Sequence, residues 1–455
     1  MIFSTKNPYN NQHLNTYKTL DYSEIENTIN KAHETFQKFR HLGPESRKEK
    51  MLNMRRVLLD HKYRYARMIT NEMGKPIAQA VAEIEKCALV CEHYAVHAEA
   101  YLQDVSIKTN SKSSNVSYQP LGVIFGIMPW NYPFWQVFRV IAPNIMLGNS
   151  VIVKHAENTL GCGELIQDIV EQAGFKPHTF SHVVIEENQT ENIIAHPLIK
   201  GVTFTGSTKG GSAVAGLAGK YIKKSVLELG GSNALVVFED ADLDKTADIC
   251  VQARFQNTGQ SCIAGKRLLI QESIYDAFLE LLVEKVTQIK TGDPSDDNTY
   301  LSVLAREDLA ENLKAQLEES LESGAELILG GNQKGTFFEP TLVQSNQLDL
   351  PIFSEETFGP LLAITSFKEE NEAVEIINSS KYGLGASIFT TNTERFHHMA
   401  RQLDDGAIFM NSMVKSDPLL PFGGTKQSGY GRELGKEGIL EFANIKTICI
   451  AELES

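Results

Sequence analysis

From Leu121 onward the chain alternates short, apolar, β-branched runs with stretches at helical spacing, and this alternation limits the fold more than any other feature. Runs at 123–127, 151–154, 182–185, 202–205 and 226–229 read as strands separated by helices, the pattern of a parallel sheet with crossover helices. After Ala234 the pattern starts again, with strands expected at 235–238, 267–271, 327–329, 361–367, 386–389 and 407–410. Two α/β units in series fit a chain of 455 residues, long enough for two or three modules.

Helices are expected before the first unit. Ser23-Glu24-Ile25-Glu26 reads as a capping box, and Ile25, Ile29, Ala32, Phe36 and Phe39 then recur at helical spacing. A second helix is expected from Pro44 to about Gly74, and a third over 77–103. Residues 105–119 read as a polar hairpin. A last strand at 445–450 has no partner nearby in sequence and alternates too poorly for a half-exposed strand. It reads as buried on both sides, paired with another element or another subunit.

A formal net charge of -14 excludes the basic face that nucleic-acid binding needs. No apolar run reaches membrane-spanning length, and Met1–Pro8 lacks the charged and apolar regions of a signal peptide. The 6 cysteines form no disulfide framework, so a reducing cytoplasm is expected. His93 and His97 lie four apart on a helix, but no further ligand is spaced to complete a site, so no metal is expected.

Thr203-Phe204-Thr205-Gly206-Ser207-Thr208-Lys209-Gly210-Gly211 lies at a strand end before a small-residue helix, where free N–H groups and the helix dipole suit a pyrophosphate. Ser207 stands where a P-loop needs lysine, which excludes triphosphate hydrolysis, and Thr208 replaces the second glycine of the usual dinucleotide fingerprint.

The chemistry centres on Phe255-Gln256-Asn257-Thr258-Gly259-Gln260-Ser261-Cys262, the one cysteine in a polar, partly open sequence neighbourhood, which a reactive thiolate requires. Four more runs accompany it: Pro129-Trp130-Asn131-Tyr132-Pro133, Leu227-Glu228-Leu229-Gly230-Gly231, Glu355-Glu356-Thr357-Phe358-Gly359-Pro360 and Pro421-Phe422-Gly423-Gly424. Together and in this order, over nearly the whole chain, they resemble the aldehyde dehydrogenase superfamily.

That resemblance implies a Rossmann-like dinucleotide-binding domain (1–103 and 121–231), an α/β catalytic domain (232–430) and a small β oligomerisation element (104–120 and 440–455), assembled as a homodimer or homotetramer. It implies Cys262 as nucleophile, Asn131 with the Cys262 N–H as oxyanion donors, and Glu228 as general base, although Glu228 lies where a simple dinucleotide fold places its ribose acid. Lys154 and Glu157 match the adenosine-ribose residues. A carboxylate at 157 repels a 2′-phosphate, so NAD is expected over NADP. Gly206 and Ser207 match the phosphate loop, and Trp130, Glu356 and Phe358 match residues at the nicotinamide end.

The expected substrate is a small aldehyde. Arg139 lies six past Pro133, where succinate-semialdehyde dehydrogenases carry an arginine for the distal carboxylate, a task suited to a guanidinium fork. Many of those enzymes carry a second arginine six before the cysteine; here Gln256 stands there. They also often carry a second cysteine two past the nucleophile, where this chain has Ala264. Gln256 still resembles a compact bacterial branch of these enzymes, with help from the loop 412–417, Ser416 included. The alternatives are a broad aliphatic or amino-aldehyde dehydrogenase, and a cofactor-independent cysteine acyltransferase or hydrolase. A purely structural use of the fold would need none of Cys262, Glu228 and Asn131.

Overall fold

A computed structural model describes residues 1–452. Its first sheet has six strands in the order Gly429–Tyr430, Lys224–Glu228, Ile199–Thr205, Val123–Met128, Ser150–His155 and Phe180–His182. All are parallel except the short edge strand Gly429–Tyr430. The order reverses on either side of Val123–Met128, the switch point outside whose carboxyl end open α/β sheets bind ligands. The expected strand at 182–185 lies earlier, at Phe180–His182.

Helices cover both faces, which is why these strands read as continuous apolar runs. Ile25, Ile29 and Ala32 of the helix Tyr22–Phe39 pack with Val123, Phe125 and Ile152. Helices Pro44–Asp60, Lys62–Met73, Ile77–Tyr101 and Trp135–Leu147 pack on the other side with Met128, Val151 and Val153. The capping box belongs to Asp21 and Glu24, not to Ser23; Ser23 Oγ donates to Asp21 instead. The single helix expected from Pro44 is two, broken at His61, and Gly74 ends the second at φ 75°.

The second sheet runs Glu326–Leu329, Thr341–Gln344, Leu361–Phe367, Gly265–Gln271, Asn233–Val237, Ala386–Phe389 and Ile408–Met410, parallel except at its first strand. Thr341–Gln344 was not foreseen, nor was the N-terminal hairpin of Ile2–Lys6 with His13–Lys18. The stretch 232–430 does not stay with this sheet, because Gly429–Tyr430 returns to pair with Lys224–Glu228. Leu229–Ser232 joins the carboxyl end of one sheet to the amino end of the other, so the two edges meet there.

The third sheet corrects an expectation. Ala443–Ile450 pairs antiparallel over its full length with Ser113–Pro120, which also pairs with Val105–Ser106. The last strand thus pairs with another element of the chain, one of the two expected alternatives, and the correction concerns its burial. It is not buried on both sides: Ile445, Ile448 and Ile450 are 60%, 41% and 54% exposed. Residues 453–455 of the 440–455 element lie outside the described residues.

Candidate active site

Cys262 stands just before the strand Gly265–Gln271, after a backbone run that turns left-handed at three residues: φ is 54° at Asn257, 54° at Thr258 and 72° at Gly259. Non-glycine residues in this region cost about 1–2 kcal/mol each, so neighbours must hold them. Asn257 Nδ2 donates to the Asn131 carbonyl at 2.9 Å and to the Gln260 carbonyl at 3.0 Å. The Ser302 N–H donates to Thr258 Oγ1 and the Ala305 N–H to Gln260 Oε1. A Cβ on Gly259 would collide with the Gly359 carbonyl. Asn257, Thr258 and Gln260 are thus a clamp on the backbone.

Cys262 is half-buried, and burial pushes its thiol up to about 11, against the opposing pull of Arg139 and Lys266. The setting is partly open, as expected, and Gln256, Asn257 and Ser261 line the same cavity, but burial still raises the thiol. Asn131 is buried, and its Nδ2 donates to the Gln260 carbonyl at 3.1 Å. The clamp therefore fixes Asn131 and the cysteine turn together.

Glu228 closes the strand Lys224–Glu228 and is 2% exposed, with no hydrogen-bond partner among the described residues on either carboxylate oxygen. Burial, and then the nearby Glu433, hold its carboxyl well above the usual range. Its close neighbours explain two of the sequence motifs. A Cβ on Gly423 would come within 2.8 Å of Glu228 Oε1, and one on Gly231 within 2.7 Å of the Cys262 carbonyl. A Cβ on Gly230 would strike Glu356. The glycine pairs are the space into which the acids and the cysteine turn fit.

Glu356 accepts from the Gly231 N–H at 3.0 Å and from Lys266 Nζ at 2.9 Å. The same ammonium donates to the Gly231 and Cys262 carbonyls at 2.6 and 2.9 Å. Arg254, fully buried, donates to the carbonyls of Thr357 and Gly359, and burial draws its pKa down to about 9. Trp130 and Phe358 meet edge to face, with ring centroids 5.6 Å apart.

Lys154 lies at the carboxyl end of the strand Ser150–His155. Lys154 is half-buried, among the described residues its ammonium meets only the His155 carbonyl at 3.5 Å, and burial lowers its pKa against the pull of Glu157. Glu157 is exposed just beyond. A half-buried cation with so weak a partner suits a ribose or phosphate oxygen. The phosphate loop is less open than its glycines suggest. The Gly206 N–H donates to the Glu228 carbonyl, and the Gly210 N–H donates to Ser207 Oγ, which caps the helix Thr208–Lys220. A Cβ on either glycine would come within 2.7 Å of the Phe204 ring. Any pyrophosphate must use the other first-turn N–H groups of that helix.

A cavity of about 560 Å³ is lined by Cys262, Arg139, Gln136, Gln256, Ser416 and Lys86. It brings Cys262 together with all three expected substrate residues; Asn131 and Glu228 lie outside its lining. Arg139 is 2% exposed and already engaged: its Nε lies 2.7 Å from Glu433 Oε2, its Nη2 donates to Gln136, and it stacks over the Phe422 ring at 4.6 Å. Ser416 Oγ accepts from Trp135 Nε1 at 3.0 Å and Lys86 Nζ at 2.8 Å. His93, His97 and Tyr101 pack ring against ring on the helix Ile77–Tyr101.

The sequence reading missed Glu433, Lys266, Arg254 and Lys86. Lys266, inside the strand Gly265–Gln271, was visible only as part of a basic run, and Arg254 lies two before Gln256 in the last turn of the helix Leu243–Phe255. Lys86 sits on a helix that mixes solvated charges with the buried Glu83, and its sequence neighbours gave no sign of which it would be.

A dinucleotide-type sheet whose carboxyl edge opens on a second sheet and a cysteine-bearing turn is the architecture of an oxidoreductase that uses a pyridine nucleotide. The model of the aldehyde dehydrogenase family matches residues 2–448. A probable succinate-semialdehyde dehydrogenase [NADP(+)] of Synechocystis sp. is 42% identical over 99% of this chain and 100% of its own. A succinate semialdehyde dehydrogenase [NAD(P)+] of Escherichia coli is 39% identical over 97% and 96%. The crystal structure of succinic semialdehyde dehydrogenase from Streptococcus pyogenes with NADP+ superposes with a TM-score of 0.97 at 35% identity, covering 99% of this chain and 100% of that one. The chain belongs to the aldehyde dehydrogenase family, enzymes that oxidise aldehydes with NAD(P). Among the described residues no helix is long and apolar enough to cross a membrane.

Proposed function

We propose that this enzyme oxidises a short aldehyde with a distal carboxylate, succinate semialdehyde in the first instance, to the dicarboxylic acid. The observation that carries the reading is the shared cavity: Cys262, Arg139 and Ser416 line one space of about 560 Å³. Relatives covering essentially the whole chain are named for this substrate.

Cys262 is the nucleophile. Its sulfur adds to the aldehyde carbon to give a thiohemiacetal, which splits one hard step into two. The oxyanion forms beside Asn131 Nδ2 and the Cys262 N–H, donors held by the clamp before reaction begins. NAD(P), when bound, supplies the hydride acceptor. Cys262 then carries a thioester, and Glu228, a carboxyl whose affinity for protons burial raises, takes a proton from the water that hydrolyses it. The sum is aldehyde, water and oxidised cofactor in; acid, reduced cofactor and a proton out.

For the cofactor, Trp130, Glu356 and Phe358 would hold the nicotinamide end, Lys154 and Glu157 the adenosine ribose, and the first turn after Gly206 and Ser207 the pyrophosphate. The exposed Glu157 carboxylate favours NAD, since it accepts from a free 2′-hydroxyl and repels a 2′-phosphate. The Synechocystis relative is named for NADP(+), so the direct test is kinetic. Reduction followed at the nicotinamide band should give a higher kcat/KM with NAD than with NADP, and Glu157→Ser should narrow the gap. A wild type that prefers NADP would remove this assignment.

We further assign dinucleotide binding to 1–103 and 121–231 and catalysis to 232–430, with Gly429–Tyr430 stitched into the first sheet. Residues 104–120 and 440–455 form the element through which the chain makes a homodimer or homotetramer. The exposed isoleucines of Ala443–Ile450 support that assembly. The cytoplasm suits six cysteines that are all free thiols.

A further inference from the structure

Four cations line this cavity: Lys75 and Arg139 are already paired, with Glu83 and Glu433, Lys415 is exposed, and Lys86 is the one that stands within the wall without a carboxylate among the described residues. Arg139 has Glu433 at 2.7 Å and gives a further N–H to Gln136. Lys86 has no carboxylate within ion-pair distance among the described residues. Its ammonium donates to Ser416 Oγ at 2.8 Å and lies 4.3 Å from the Trp135 ring centroid. Asp417 acts on it only at longer range, and burial with the like charge of Arg139 draws its pKa down to about 8. A half-buried cation held by a hydroxyl and an aromatic face lacks a counter-ion.

The fold aims it there. Lys86 lies one turn past Glu83 on the helix Ile77–Tyr101, so the two share a face. Glu83 docks that face on the start of the helix Trp135–Leu147 by accepting from the N–H groups of Phe134 and Trp135. This fixes Lys86 over Trp135, beside the cavity wall that carries Arg139.

We propose that Lys86 is a specificity-determining residue of this enzyme: with Ser416 it binds the distal carboxylate of the aldehyde, supplying the cation absent at Gln256. The proposal rests on the reading that the substrate carries such a carboxylate. It makes Lys86 the primary counter-ion and Arg139 a second donor whose charge is shared with Glu433.

The test compares succinate semialdehyde with butanal, the same chain length without the carboxylate, in wild type, Lys86→Met and Lys86→Arg. Methionine keeps a stem to cover Trp135. Lys86→Met should lower kcat/KM for succinate semialdehyde by roughly ten- to hundredfold, mostly through KM. For butanal the loss should stay under about threefold, and Lys86→Arg should restore most of the discrimination. If Lys86→Met accumulates poorly, Lys86→Gln makes the same comparison with a donor kept toward the carboxylate. Equal losses on both substrates, or a variant that keeps the wild-type preference, would overturn the role of Lys86 alone. A wild type that prefers butanal would instead overturn the functional reading, and this proposal with it.

Discussion

Lys266 and Glu356, 90 positions apart in sequence, meet at 2.9 Å, and the same ammonium also holds the Cys262 carbonyl. One buried cation therefore ties the proposed nicotinamide-ribose acid to the turn that presents the nucleophile. Lys266→Met should raise KM for the cofactor by roughly tenfold, on the scale of hydrogen bonds to charged groups. It should also reduce kcat, because the Cys262 turn loses the same anchor. Steady-state kinetics with varied cofactor, checked by direct cofactor titration, decides it. A variant with wild-type cofactor affinity would show that Glu356 needs no such support.

The Cys262 thiol, raised to about 11 by burial, is protonated at neutral pH in the free enzyme. Only the thiolate is alkylated, so the rate of inactivation by iodoacetamide should rise about tenfold per pH unit between roughly pH 7 and 9. A rate that levels off below about pH 8 would mean an already activated thiolate. Cys262→Ala should abolish oxidation and leave cofactor binding nearly intact.

Glu228→Gln should leave a burst of reduced cofactor and then slow turnover by roughly 10²–10⁴-fold, the usual range for a lost general base. Its carboxyl is held protonated well above the normal carboxylate range, so steady-state turnover in the wild type should rise with pH as Glu228 ionises. Stopped-flow absorbance separates the two phases. Loss of the burst itself, with cofactor still bound, would move Glu228 to an earlier step.

Arg139→Ala removes more than a substrate contact. It leaves Glu433 buried without its counter-charge, a change that typically costs about 3–5 kcal/mol. Denaturant unfolding should show that loss, and adding Glu433→Gln should recover part of it. A stable Arg139→Ala protein would mean that Glu433 is already neutral in the folded state.

Ile448 and Ile450 are 41% and 54% exposed on a strand whose outer edge has no partner among the described residues. Apolar edges of this kind invite pairing. Ile448→Glu with Ile450→Glu should shift the assembly to smaller species in sedimentation. A wild type that is already a stable, active monomer would contradict the assembly.

Much of the fold was legible because strands covered on both faces must be continuously apolar: Val123–Met128 and Leu361–Phe367 announce themselves that way. The edge strand Ala443–Ile450 misled for the complementary reason, since its apolar residues are exposed in the chain and mimic a buried pattern. The site motifs were visible as residue types, but their physical roles were not. Asn257 to Gln260 read as polar surroundings of a thiol and also clamp the backbone. Gly206 and Ser207 read as phosphate-loop residues, and the sequence did not show that Gly206 also seats the Phe204 ring or that Ser207 caps the helix Thr208–Lys220. Glu433, Arg254, Lys266 and Lys86 were missed because each takes its meaning from a partner distant in sequence, which spacing along the chain does not reveal.

The central claim is that the cavity beside Cys262 selects an aldehyde by its distal carboxylate. The most direct measurement is the ratio of kcat/KM for succinate semialdehyde to that for butanal in the wild-type enzyme, with saturating NAD. One desolvated, charge-assisted contact to the carboxylate predicts a ratio of at least roughly tenfold in favour of the semialdehyde. A ratio near unity, or a preference for butanal, would contradict the claim and leave an aldehyde dehydrogenase of some other specificity.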